Sequence, residues 1–200
     1  QTRWLGISEQ SRRCFEVEGT TSLVSTLPLD PDNVIIRQGD PGSFSGNYYL
    51  YNLRTDEARL LASTRDGTSP AFFDPRNGGI LARSKVAPVG RGEFEIRMLL
   101  RNHETGGFEE HPELTNRLGL RNTVEIAGID EKTGHYYVLH DLRSDKVQAW
   151  MYDPVARTFG TVPLAAFAWP HITRLEFGTR PGNFNRMLGF TATGATHETT

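Results

Sequence analysis

The sequence predicts an all-β protein: a partial β-propeller of about three to four four-stranded antiparallel blades. Three observations carry that expectation. A four-strand pattern returns about every 50 residues, turn chemistry sits at the same place in each return, and no window sustains the apolar spacing of an amphipathic helix.

The repeat is clearest in three hairpins: YLYNLRTDEARLL from Tyr49, IRMLLRNHETGGFEEH from Ile96 and AWMYDPVARTFGTV from Ala149. Their turns open on Asn52, Asn102 and Asp153, with Thr55, Thr105 and Ala156 three residues on and Ala58, Phe108 and Phe159 six residues on. Asn and Asp suit that opening position because a short side-chain oxygen can accept from the backbone N–H two residues later. A second set interleaves with the first: LPLDPDNVIIR, FFDPRNGGILAR and IDEKTGHYYVLH, whose aspartates are Asp30, Asp74 and Asp130. Each unit therefore reads as an apolar strand, a tight turn, a second strand, a longer connection and then the hairpin. The expected blades cover residues 23–64, 68–114 and 122–164, with an incomplete one over 171–200. Residues 1–200 form one propeller segment without a catalytic α/β-hydrolase domain. A β-sandwich would explain strands and turns, but not the recurrence of one four-strand grammar.

Charge and composition narrow the function. With 22 basic against 24 acidic residues and a net charge of -2, the chain offers no field for a polyanion, so nucleic acid is not an expected partner. The longest apolar stretch, Pro163 to Trp169, is far short of the roughly 20 residues a membrane-spanning helix needs. No membrane span is expected, and no leader pattern marks the start. Cys14 is the sole cysteine, which excludes an internal disulfide. The sequence leaves the compartment open between cytoplasm and periplasm. Because it opens on Gln1, we expect it to be a segment of a longer polypeptide.

The succession LPLDPDNVIIR, YLYNLRTDEARLL, FEIRMLLRNHETGGFEEHPEL and IDEKTGHYYVLHDLRSDKVQAWMYDPVARTFGTV resembles the central propeller of bacterial serine peptidases of the prolyl oligopeptidase family, including the dipeptidyl and acylaminoacyl peptidase branches. The likeness runs from about Leu27 to Phe190. It implies a propeller that gates substrate entry to an α/β-hydrolase domain of the same polypeptide and docks against it. The partners it implies are that domain and a peptide substrate. It also implies a parent serine peptidase whose Ser, Asp and His lie outside these residues, so this chain alone is not expected to catalyse.

The residues themselves agree that no nucleophile is present. The nearest phrase to a G-x-S-x-G elbow is GSFSG, Gly42 to Gly46, with Phe44 where the serine belongs. Some dipeptidyl peptidases hold a substrate amine with paired propeller glutamates. Glu109 and Glu110 are not assigned that role, because adjacent strand residues face opposite sides and read as solvated edge charges. His135 and His140, five apart on a strand, also face opposite sides, so no metal site is expected. The GRG at Gly90 to Gly92 lacks a dinucleotide fingerprint, and no cofactor is expected. Trp150, Tyr152, Tyr136 and Tyr137 read as core between blades rather than as a stacking platform.

The second connections, QGDPGSFSGN from Gln38, KVAPVGRGE from Lys85 and HDLRSDK from His140, are longer and richer in Gly, Pro and charge than the first and third. In a meander they share one end of the blades, and long loops on rigid scaffolds carry contacts. Asp40, Phe44, Arg91, Asp141, Arg143 and Asp145 are the candidate contact residues. Two rival readings stand beside the gating role: a non-enzymatic propeller that binds a protein or peptide, and a propeller glycosidase or lactonase. The latter would need paired carboxylates about 5–10 Å apart, for which Glu125 and Glu176 are the main candidates.

Overall fold

The structure, a computed structural model, describes residues 20–39, 45–90, 92–118 and 123–194. The first sheet holds β1 (Thr20–Thr26), β2 (Asn33–Gly39), β3 (Asn47–Asn52) and β4 (Ala58–Ser63) in that order. The second holds β5 (Thr68–Phe73), β6 (Ile80–Gly90), β7 (Glu93–Arg101) and β8 (Phe108–Glu110), with β9 (Asn116–Leu118) also on β7. The third is β10 (Val124–Ile129), β11 (Tyr136–His140), β12 (Gln148–Asp153) and β13 (Thr158–Phe159), and the fourth pairs β14 (His171–Phe177) with β15 (Met187–Thr193). Among the described residues, helical structure is limited to two 3₁₀ turns, Thr64–Asp66 and Pro112–Leu114. Apart from β9, which returns to β7, sequential strands pair as neighbours in every sheet. The fold is the all-β, blade-type meander of a partial β-propeller.

One turn design is used repeatedly. Asn52 Oδ1 accepts from the N–H groups of Arg54 and Thr55, both at 2.9 Å. Asn102 Oδ1 accepts from Glu104 at 2.8 Å and Thr105 at 3.1 Å, and Asp153 Oδ1 from Val155 at 2.8 Å and Ala156 at 3.0 Å. Four residues after each opener the backbone enters the left-handed region: Asp56 at φ 59°, Gly106 at 72° and Arg157 at 55°. Asp74 and Asp130 open turns of the same kind, accepting from the N–H of Arg76 at 2.9 Å and of Lys132 at 3.0 Å. The three hairpins are therefore equivalent locally as well as in spacing.

Two features depart from the sequence reading. The segment from Lys85 to Glu93 is not a long connection. β6 continues to Gly90 and β7 starts at Glu93, because Val86, Ala87 and Val89 keep an extended path through Pro88. Positive φ at Gly90 and Gly92 then closes the turn within a few residues. The second blade also carries an additional strand. β7 pairs with β8 through Leu99 to Arg101 and with β9 through Phe94 to Ile96, the outer partner being interrupted by the 3₁₀ turn that begins at Pro112.

The chain divides into two compact units, 1–83 and 84–200. In the first, Leu27, Ile35 and Ala62 are buried, and Tyr48 meets Phe73 at 5.9 Å between ring centroids. Gly78 approaches that core closely: a Cβ there would lie 3.3–3.4 Å from Leu50, Ile35 and Leu27. In the second unit the third sheet is buried on both faces. Leu139 and Ala149 pack with Ile172 and Leu175 of β14, each large aliphatic side chain contributing about 1.5–3 kcal/mol by leaving water. The register Tyr136↔Tyr152 and Val138↔Trp150 gathers Tyr136, Val138, His140, Trp150 and Tyr152 on the opposite face, all buried. Trp150, Tyr152 and Tyr136 thus belong to the core, while Tyr137, partly buried, packs on Phe177 at 5.2 Å from the other face.

Candidate functional site

Asp40, Phe44 and Arg91 lie outside the described residues. Asp141, Arg143 and Asp145 share the connection between β11 and β12, so they emerge at one end of the third sheet. The tight turns at Lys132 and Pro154 lie at the other end. Asp141 Oδ1 accepts from the Thr123 N–H at 2.8 Å, which ties the connection back to the start of β10. Asp145 is exposed, and the Lys146 ammonium at 2.9 Å holds its carboxyl below the usual carboxylate range. Arg143 lies over the rings of Trp150 and Phe159.

A cavity of about 460 Å³ opens beside Leu142 of that connection. Its other walls come from the second blade, where β7 changes partner from β8 to β9: Glu95 and Arg97 from β7, Glu110 from β8, Glu113 from the 3₁₀ turn and Arg117 from β9. Arg97 is shared by Glu95 at 2.6 Å and Glu110 at 3.6 Å, and these carboxylates raise its already high pKa. Arg117 lies exposed on the rim. The sequence placed Glu110 as a solvated edge charge. It is instead ion-paired, because β8 brings it against Arg97.

Behind this cavity a polar network crosses between blades. His111 Nδ1 is 2.8 Å from Tyr152 Oη, and that hydroxyl donates to Glu113 Oε2 at 3.2 Å. With the hydroxyl proton directed to Glu113, His111 Nδ1 carries the hydrogen that Tyr152 accepts. Burial, with the nearby Arg157 cation, lowers the His111 pKa, so the ring is held neutral. Burial and the Glu113 carboxylate raise the Tyr152 phenol. At the opposite end a second cavity, about 370 Å³, lies between the Asn102 and Asp153 turns. There Glu109 accepts from Asn102 at 2.6 Å and from Arg157 at 3.0 Å, so it too is paired. Arg157 holds its strained left-handed backbone, a cost of about 1–2 kcal/mol, while reaching from the third blade to the second.

The remaining sequence candidates are dispersed. His135 pairs with Asp153 at 3.4 Å on the surface, whereas His140 is buried. Glu176 pairs with Arg174 at 3.2 Å on β14, and Glu125 is exposed on β10. Among the described residues no group of three or more His, Cys, Asp or Glu side chains is placed to hold a metal ion. No helix of the described residues is long and apolar enough to cross a membrane. Sequence reasoning missed the network of His111, Glu113 and Tyr152. Tyr152 of β12 is 41 and 39 residues from His111 and Glu113, which belong to the 3₁₀ turn region of the second blade, and no local motif marks such a pairing.

No family model and no curated protein matches the chain. Among solved structures, the crystal structure of TolB from Acinetobacter baumannii, a β-propeller protein, is similar at 14% identity with a TM-score of 0.49. The match covers 87% of this chain and 44% of that one, so the chain spans less than half of that protein's length. The fold assignment rests on the sheets themselves. None of these comparisons selects a prolyl oligopeptidase relative.

Proposed function

We propose that this propeller segment is a contact module that binds a protein or peptide at the loop end of its second unit. The observation that carries the reading is the cavity of about 460 Å³ beside Leu142. It combines one apolar wall with three carboxylates and two guanidinium groups, all but Glu113 carried on strands, a setting for a polar chain with an apolar side chain inserted. Arginine on the rim of a preformed concavity is typical of protein contacts. A finer form of the proposal comes from the sequence resemblance alone: the partner is the α/β-hydrolase domain of a parent serine peptidase, and the module gates a peptide substrate.

The test is selection of ligands for the 200-residue chain from a displayed random-peptide library, followed by affinity measurements on point variants. Arg117→Glu and Leu142→Asp should each weaken the selected peptides by about tenfold or more, the scale of a lost interface anchor. Lys132→Glu, at the tight-turn end, should leave affinity unchanged. Equal losses at both ends, or no selected peptide, would overturn the assignment.

A further inference from the structure

At the loop end of the third sheet four side chains form one stacked block. The His140 ring lies nearly parallel to Trp150, with centroids 5.3 Å apart and an interplanar angle of 15°. Phe159 packs 4.5 Å from His140, and Arg143 Cζ sits 4.9 Å from the Trp150 centroid and 5.5 Å from that of Phe159. The Leu142 N–H donates to His140 Nδ1 at 3.1 Å, which uses that nitrogen's lone pair. A neutral ring must then carry its hydrogen on Nε2. Burial and the Arg143 cation hold the His140 pKa down to about 4, so the ring is neutral at pH 7.

His140 and Trp150 are 1% and 5% exposed, and neither His140 Nε2 nor Trp150 Nε1 has a protein acceptor. Two buried N–H donors in one stacked cluster each carry a desolvation cost when unmatched. The guanidinium over the Trp150 ring makes one long bond, to the Gly160 carbonyl at 3.4 Å. The block therefore offers donors and positive charge, the complement of an oxyanion.

We propose that His140, Trp150 and Arg143 form a binding site for a single carboxylate, which supplies the acceptors that the two ring N–H groups lack and an ion-pair partner for the guanidinium. Arg143 is exposed and lies over the Trp150 face, so its guanidinium is the member of the block that reaches solvent. The site stands independently of the peptide-binding reading above. Its ligand is either a free small acid or a carboxylate on a polypeptide, which share this chemistry.

The test follows the indole N–H resonance of Trp150 in the ¹⁵N-labelled full chain, assigned by its loss in Trp150→Phe. Formate and acetate are titrated at constant ionic strength against chloride. A saturable downfield shift of that proton is expected with the carboxylates and not with chloride, and His140 should show the Nε2–H tautomer. Arg143→Gln, a surface change that leaves the core intact even if Trp150→Phe fails to fold, should weaken the carboxylates by about tenfold, the scale of a lost charge-assisted bond. A peptide with a free C-terminal carboxylate that binds more tightly than its amide identifies a polypeptide source, whereas response to formate alone identifies a free acid. A shift that does not saturate, that chloride reproduces or that Arg143→Gln leaves unchanged overturns the proposal. So does an indole proton that contacts only a buried water.

Discussion

Removing the Tyr152 hydroxyl should destabilise the second unit out of proportion to the single atom lost. Tyr152→Phe keeps the ring, which is fully buried and packs edge-on against His111 at 5.7 Å and against Phe159 at 5.0 Å. What disappears is the oxygen between His111 and Glu113. His111 is 3% exposed, so its Nδ1–H would be left buried without an acceptor, a cost of about 1–3 kcal/mol. The bond to the Glu113 carboxylate adds about 1 kcal/mol, less than most bonds to a charged acceptor because it is long and partly solvated. The expected loss is thus about 2–4 kcal/mol, or roughly 4–16 °C in Tm at about 2–4 °C per kcal/mol for a chain of this length. Urea unfolding of the full chain, followed by tryptophan fluorescence, reads it, since Trp150 and Trp169 both lie in the second unit. Adding His111→Leu should cost less than the sum of the two single changes, because no orphaned donor then remains. A loss under about 0.5 kcal/mol, or strictly additive single losses, would refute the network.

Asn102→Ala should cost about 1–2 kcal/mol in the same urea assay, because two backbone N–H groups lose their common acceptor at the turn. Gly128→Ala should cost about 1–3 kcal/mol, since its Cβ would meet the Phe177 ring at 2.5 Å. Stability should also fall as pH drops from about 6.5 to about 4. In that window the unfolded chain binds the protons that folded His140 and His111 exclude, so the depressed folded pKa values are a loss under acid. His140→Gln should flatten the urea midpoint against pH across that range, and an unchanged profile would show that His140 is not held neutral. Asp153, whose pKa is lowered by the Ala156 and Val155 N–H groups, should add its loss only at lower pH, as its carboxylate protonates.

The turns were legible because their chemistry is local. Asn52, Asn102, Asp153, Asp74 and Asp130 each act on backbone two residues away, and a single sequence contains everything that interaction needs. The strand face of Trp150 and Tyr152 was legible for a similar reason, since alternation fixes which residues travel together. Less visible was the end of β6, where Pro88 and two glycines read as loop although Val86, Ala87 and Val89 keep the backbone extended. Contacts between blades left no trace in the spacing. Nothing near His111 announces Tyr152, and nothing near Trp150 announces that Arg143 will cover it, because loop path and sheet packing decide both. Of the six contact candidates, Arg143 was chosen for its loop, yet its distinguishing property is the aromatic surface beneath it.

The fifth residue of the repeated turn is a socket that the blades fill in different ways. Since the opening Asn or Asp sets the backbone path, the side chain four residues later is released for other duty. Gly106 leaves the socket empty. Asp56 folds inward as a latch on the Tyr51 hydroxyl at 2.6 Å, and burial and that carboxylate push the phenol up to about 12. Arg157 reaches outward as a strap to Glu109 in the neighbouring hairpin. A blade can therefore exchange vacancy, latch and strap by a single codon without redrawing a strand, which lets the ties between repeats diverge while the repeats themselves stay alike.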